Sequence, residues 1–165
     1  FRELRLGEDL TTQVPHCRSV NYERTCWTLD NDTPPLKYEV QFGYKGTEQS
    51  IGPVKVGTYV AVQYEGKLQA VRFDFSAGDY ETLVEIFKKR YGRPTRKAPT
   101  YIKSNHLAIP IKADVMEWIG KRLQISLWSR TSDVAKGTAE IVLKGWTSKE
   151  ERIESEALKK AAGSL

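Results

Sequence analysis

Proton-transfer chemistry near neutral pH starts from histidine, and this sequence holds two, His16 and His106. His16 adjoins Cys17. Neighbours in a chain rarely aim their side chains at each other, and a cysteine nucleophile also needs a lowered pKa and an oxyanion pocket. The pair reads better as a surface histidine beside a disulfide cysteine. His16, Cys17, Cys26 and His106 are zinc-ligand types, but the C-x-x-C spacing of structural sites is missing. Asp30, Asn31 and Asp32 begin like a calcium loop and then lack its glycine and bidentate glutamate, so turn chemistry accounts for them better. No serine stands in G-x-S-x-G and there is no glycine-rich phosphate loop. Carboxylates such as Glu39 and Asp74 fall on strand patterns without singling out a catalytic pair. The sequence therefore predicts no catalytic residues, no metal and no cofactor.

Binding chemistry is better represented. Six of the ten residues from Lys88 to Lys97 are basic: Lys88, Lys89, Arg90, Arg93, Arg96 and Lys97, with Tyr91 among them. Lys121, Arg122 and Arg130 are candidates to join from later in the chain. Such a cluster suits a nucleic-acid backbone, where cations release counterions and rings stack on bases. It suits an anionic envelope component or an acidic protein equally. The plain alternative is a helix end that complements its own dipole, followed by a solvated loop. Trp128 is out of phase with Leu123, Ile125 and Leu127, which puts it on the other face of a strand. There it is either core or, near Arg130, part of a binding surface.

Cys17 and Cys26 lie close together in a polar stretch. They fit a local disulfide closing a short loop, as exported domains use. Two free thiols or a metal site are the other readings. The chain opens on Phe1 rather than Met, as a processed or trimmed chain would. With 165 residues it fits one domain with a core of its own. The net charge of +5 favours anionic partners. No segment approaches the ~18 apolar residues of a membrane-spanning helix.

The elements that must position these residues read as follows. Residues 1–35 are irregular, pinned by the cysteines and ended by the turn residues Asp30 to Pro35. Residues 36–146 hold the sheet. Leu36, Tyr38, Val40, Phe42 and Tyr44 alternate with polar residues or glycine. Val60 and Val62 run into Glu65-Gly66 and return through Val71, Phe73 and Phe75, a hairpin in which Val62 faces Gln69 and Val60 faces Val71. A helix spans 78–91, capped by Ser76 or Asp79, with Tyr80, Leu83, Val84, Phe87 and Tyr91 on one stripe and Gly92 as its stop. Strands follow, with turns at Lys112–Asp114, Gly120-Lys121 and Ser132–Gly137. A second helix spans 147–162, opened by a Thr147/Glu150 capping box and carrying a thin stripe of Ile153, Ala157, Leu158 and Ala161. The fold class is α+β: a mostly antiparallel twisted sheet with one packed helix and a C-terminal helix. Its two halves read as a repeated strands-then-helix unit, or as hairpins that share turn chemistry.

The segments L-x-L-G (Leu4 to Gly7), V-P-x-C (Val14 to Cys17) with a second cysteine, and K-R-Y-G-R-P (Lys89 to Pro94) stand in one layout with a strand hairpin and a Trp-bearing meander. That layout resembles small exported proteobacterial proteins of unknown function. The resemblance implies a periplasmic or secreted location and a Cys17–Cys26 disulfide, and it implies no activity. The functional expectation is a non-enzymatic binding module outside the cytoplasm, engaging a protein partner or envelope component as an assembly subunit, immunity protein or inhibitor. Nucleic-acid binding through residues 88–97 is the second reading, and a hydrolase built on His106 and a carboxylate is the third.

Overall fold

The computed structural model describes residues 4–13, 26–33, 36–42, 50–103 and 109–162. The strands are β1 (Cys26–Thr33), β2 (Leu36–Phe42), β3 (Ser50–Ile51), β4 (Val54–Tyr64), β5 (Lys67–Ser76), β6 (Arg96–Ile102), β7 (Ile111–Ile119), β8 (Leu123–Trp128) and β9 (Lys136–Leu143). The helices are α1 (Tyr80–Tyr91) and α2 (Trp146–Ala162). Eight strands lie in the order β1-β2-β4-β5-β9-β8-β7-β6, with β3 beside β4. Every neighbouring pair is antiparallel. The architecture is α+β, as its alternating strands and amphipathic helix predict. No described helix is long and apolar enough to cross a membrane.

α1 packs where its stripe dictates. Tyr80, Leu83, Val84 and Phe87 are buried against Val71, Phe73 and Phe75 of β5, Met116 and Trp118 of β7, Ile125 and Leu127 of β8, and Ala139 and Ile141 of β9. Burying one such side chain is worth about 1.5–3 kcal/mol. The helix stops at Gly92, whose φ of 82° suits glycine and whose N–H donates to the Lys88 carbonyl at 2.8 Å. Its start differs from expectation. Ala77–Asp79 is a 3-10 turn, and neither Ser76 nor Asp79 makes a side-chain cap bond.

The β4–β5 turn has φ of 51° at Glu65 and 74° at Gly66, the positive pair that a type I′ turn requires. The expected register is off by one beyond it. Val62 pairs with Ala70 and Val60 with Arg72, because Gln69 bulges out of the ladder. The bulge puts Leu68 on the same side as Val71, so both enter the α1 core. Leu68 also holds the N-terminal segment: its carbonyl accepts from the Gly7 N–H at 2.6 Å and its N–H donates to Glu8 at 2.8 Å.

Two other expectations are corrected. Residues 26–33, read as the end of an irregular segment, form β1, paired along β2 with a bulge between Leu29 and Asn31. The Asp-Asn-Asp run looks like a turn but is absorbed at that bulge. The turn expected at Lys112–Asp114 is continuous β7, because its polar residues alternate with buried Ile111 and Ala113 across the strand.

α2 lies on the opposite face. Val62, Ala70, Val142 and Trp146 form a second, smaller core, flanked by Tyr64, Leu143 and Ile153. Each half is thus a four-stranded meander followed by a helix, with the short β3 added beside β4 in the first half, and the repeated element order is present. A two-fold axis normal to the sheet, the operation that swaps antiparallel β5 and β9, would leave both helices on one face. They occupy opposite faces, so the halves repeat in order and not in packing.

Candidate binding surface

The basic cluster is assembled by one turn and one edge strand. Phe87 stacks obliquely on Trp118, with centroids 5.8 Å apart, and the Trp118 indole N–H donates to the Gly92 carbonyl at 2.8 Å. These contacts fix the end of α1 over β7. The chain then drops into β6. Thr95 donates from its N–H to Glu117 at 2.7 Å, and its hydroxyl accepts from the Ile119 N–H at 3.0 Å. Arg96 stands opposite Glu117, with which it makes a 3.5 Å ion pair.

This geometry brings a third segment alongside. Ile119 leads into the β7–β8 turn, which carries Lys121 and Arg122, and the Arg122 carbonyl accepts from the Lys144 N–H at 2.8 Å. Lys89, Arg90, Arg93, Arg96, Lys97, Lys121, Arg122 and Lys144 are all exposed at this corner of the molecule. Lys88 is paired with Glu85 at 2.8 Å and Arg96 with Glu117. Among the described residues no ion pair forms with Lys89, Arg93, Lys97, Lys121 or Arg122. Tyr91, Ile119 and Leu123 are each about 40% exposed between these cations, at 39%, 41% and 39%. The Arg90 guanidinium lies 5.8 Å from the Tyr91 ring centroid.

β6 gives the corner an open edge. It ends the strand order and, among the described residues, is paired on one side, to β7. Pro99 sits in its middle, a residue tolerated on edge strands because it has no N–H to contribute to a ladder. Tyr101, on the same strand, is 72% exposed. Aromatic side chain, cations and unpaired backbone together can hold an extended, acidic chain: main-chain bonds give affinity and the charges give orientation.

A row of paired residues connects this edge to the centre of the sheet. Arg96 faces Glu117, Glu117 faces Ser126, Ser126 faces Glu140, and Glu140 faces Arg72. At its inner end Arg72 bonds Glu140 at 2.6 Å and both oxygens of Glu150 of α2, at 3.0 and 2.5 Å. Burial lowers the affinity of the Arg72 guanidinium for its proton. The Glu150 hydrogen bonds and the two carboxylate charges more than offset this, so its pKa stands above the ordinary arginine value.

The structure thus gathers Lys88, Lys89, Arg90, Tyr91, Arg93, Arg96 and Lys97 with Lys121 and Arg122, and it separates two residues proposed alongside them. Trp128 is on the face opposite Ile125 and Leu127, as its phase predicts. It is half-buried between Val115 and Thr138, at the far end of β8 from Lys121 and Arg122. Arg130 follows it there. Cys17, His16 and His106 lie outside the described residues, as does any Cys17–Cys26 pairing; the backbone of Cys26 begins β1, at the other edge of the sheet. Among the described residues no three His, Cys, Asp or Glu side chains are grouped to hold a metal ion. Sequence reading missed β6, whose Arg-Lys-Ala-Pro start looks like a loop. Its signal was the alternation of Ala98, Thr100 and Ile102 with Lys97, Pro99 and Tyr101.

The chain matches no protein-family model, no curated protein and no solved structure.

Proposed function

We propose that this chain is a non-enzymatic binding module acting outside the cytoplasm, and that it engages an acidic segment of a protein partner along the free edge of β6. The observation that supports this reading is the placement of Arg93, Arg96, Lys97, Lys121 and Arg122 around an edge strand that has one neighbour among the described residues. An extended acidic segment adds a strand there while its carboxylates meet the cations. In this reading the module is an assembly subunit, an immunity protein or an inhibitor of the exported kind that the sequence resembles, with Cys17 and Cys26 joined.

A nucleic acid would use the same cations with Tyr91 and Tyr101 as stacking platforms, so the test separates the two. An acidic decapeptide and a single-stranded DNA are titrated by fluorescence anisotropy at low and at physiological salt. The protein-partner reading expects the peptide to bind and the triple variant Arg93→Glu, Arg96→Glu, Lys97→Glu to lose at least about tenfold in affinity. Tight DNA binding that falls steeply with salt, without peptide binding, replaces it with the nucleic-acid reading. Unchanged peptide affinity in the triple variant at low salt removes the basic corner from the mechanism.

A further inference from the structure

The edge of β6 has a phase, and the hydrogen bonds of its neighbour β7 set it. The Asp114 carbonyl accepts from the Ser129 N–H at 2.9 Å, and the Asp114 N–H donates to the Ser129 hydroxyl at 2.8 Å. Both backbone groups of Asp114 therefore point towards β8, away from β6. The Glu117 carbonyl points the other way and accepts from the Thr95 N–H at 2.7 Å. A residue in an antiparallel strand directs its N–H and C=O to the same side, and the side alternates along the strand. Pro99 stands opposite Asp114, Lys97 opposite Met116 and Tyr101 opposite Lys112. These three residues turn their backbone groups outward, while Ala98, Thr100 and Ile102 turn theirs to β7.

The edge thus offers carbonyls at Lys97, Pro99 and Tyr101, but N–H groups only at Lys97 and Tyr101, since proline has none. The same three residues share one side-chain face. It is the α1 face, because Met116, opposite Lys97, lies in the α1 core. Lys97 and Tyr101 are both exposed there, and among the described residues no ion pair forms with Lys97. Arg96 is on the other face, paired with Glu117.

We infer that the partner segment adds antiparallel to β6 in one phase, with an aromatic side chain against Tyr101 and, four residues further on, a carboxylate against Lys97. The inference rests on the reading that this edge receives an acidic segment, and it specifies that segment. In antiparallel addition the residues that bond to Tyr101, Pro99 and Lys97 stand directly opposite them and share their face. A carboxylate in this phase meets Lys97, and one shifted by a single residue meets the opposite face instead. The antiparallel direction continues the pairing of every described strand and is the more stable per residue. It runs the segment from Tyr101 past Lys97 towards the turn that carries Arg93.

The experiment titrates three labelled nonapeptides of one composition, one Tyr, three Glu and five Ser, into the full chain by fluorescence anisotropy. The first carries Glu at the fourth, sixth and eighth positions after Tyr. The second carries them at the third, fifth and seventh, and the third is the first read backwards. The first is expected to bind at least about fivefold more tightly than either other. Lys97→Ala should shrink its advantage over the second to less than about twofold. N-methylation of the residue two after Tyr, which donates to the Pro99 carbonyl in this phase, should weaken the first peptide at least about tenfold. N-methylation of the next residue, which points to solvent, should change it less than about twofold. Equal binding of the first two peptides overturns the phase, and tighter binding of the reversed one overturns the direction. If the acidic decapeptide binds and none of the three does, this inference alone falls. If the decapeptide does not bind either, the reading of the β6 edge falls with it.

Discussion

α1 buries Tyr80, Leu83, Val84 and Phe87 in a core that draws on β5, β7, β8 and β9, whereas α2 buries Trp146 and Glu150 and leaves Leu158 72% exposed. Both helices begin on a buried aromatic whose polar atom has no partner, the Tyr80 hydroxyl and the Trp146 indole N–H. Past that first residue they diverge. α1 is held by apolar area from Tyr80 through Phe87. α2 is held at its first turn by Trp146, tilted against Tyr64 at 5.7 Å, by Lys149 over the Tyr64 ring at 3.8 Å, and by the Arg72–Glu150 bridge. Area burial is additive and indifferent to angle. A bridge fixes position but has to offset the desolvation of both charges. The sheet therefore has one face bound by bulk and one face bound by geometry.

Breaking the α1 side has the largest expected effect. Phe87→Ala removes a ring that is 2% exposed and touches both Trp118 and Tyr91. It should cost about 3–5 kcal/mol in urea unfolding, and a loss below about 1 kcal/mol would mean that α1 is not the main anchor. On the other face, Arg72→Met leaves Glu140 and Glu150 facing each other without their cation. A cost of about 3 kcal/mol is expected, with part of it recovered when Glu150→Leu is added. If the single and double variants are equally stable, the bridge contributes no position-fixing charge pairing.

A pH titration sharpens the contrast at α1. Burial chiefly, and then the Asp114 and Glu81 carboxylates, raise the Tyr80 pKa on folding, so the native state keeps its proton while the unfolded chain loses it above about pH 10. The stability this supplies is fully present below that pH. Above it, stability should fall by about 1.4 kcal/mol per pH unit from this group, and Tyr80→Phe should flatten the fall. An identical alkaline limb in the variant rejects this. Smallest of all, Leu158→Gln on the outer part of α2 should change stability by less than about 0.5 kcal/mol. A larger loss in the same unfolding experiment would show that this part of the helix is docked.

The elements with a strong period were legible in the sequence. The stripe of α1 and its Gly92 stop stand where they read, and so does the Glu65-Gly66 turn, because each is decided by neighbours within a few residues. The basic residues 88–97 were legible as a cluster but not as a surface: that they meet Lys121 and Arg122 depends on the β6–β7 and β7–β8 registers, which no local pattern encodes. Gln69 shows the same limit at the scale of one residue, since the choice to bulge is made by what Leu68 and Val71 pack against. The Arg72–Glu140–Glu150 cluster and the grouping of Tyr80 with Asp114 were invisible for the same reason. Their members come from separate elements: read alone, Tyr80 is one more residue of an apolar stripe and the charged members are ordinary surface residues.

The order of the strands also has a kinetic consequence. Every pairing between the described strands joins strands that follow closely in the chain, except that of β5 with β9, which brings together residues such as Arg72 and Glu140, 68 positions apart. Two local meanders can zip early and independently, and one long-range closure makes them a single sheet. Loop-closure entropy is concentrated in that step. A chain cut in the Gly92–Thr95 connection should therefore leave two fragments whose reassociation along β5 and β9 is the slow, concentration-dependent event. The seam sets the folding clock of the molecule, while the helices on either side of it set its stability.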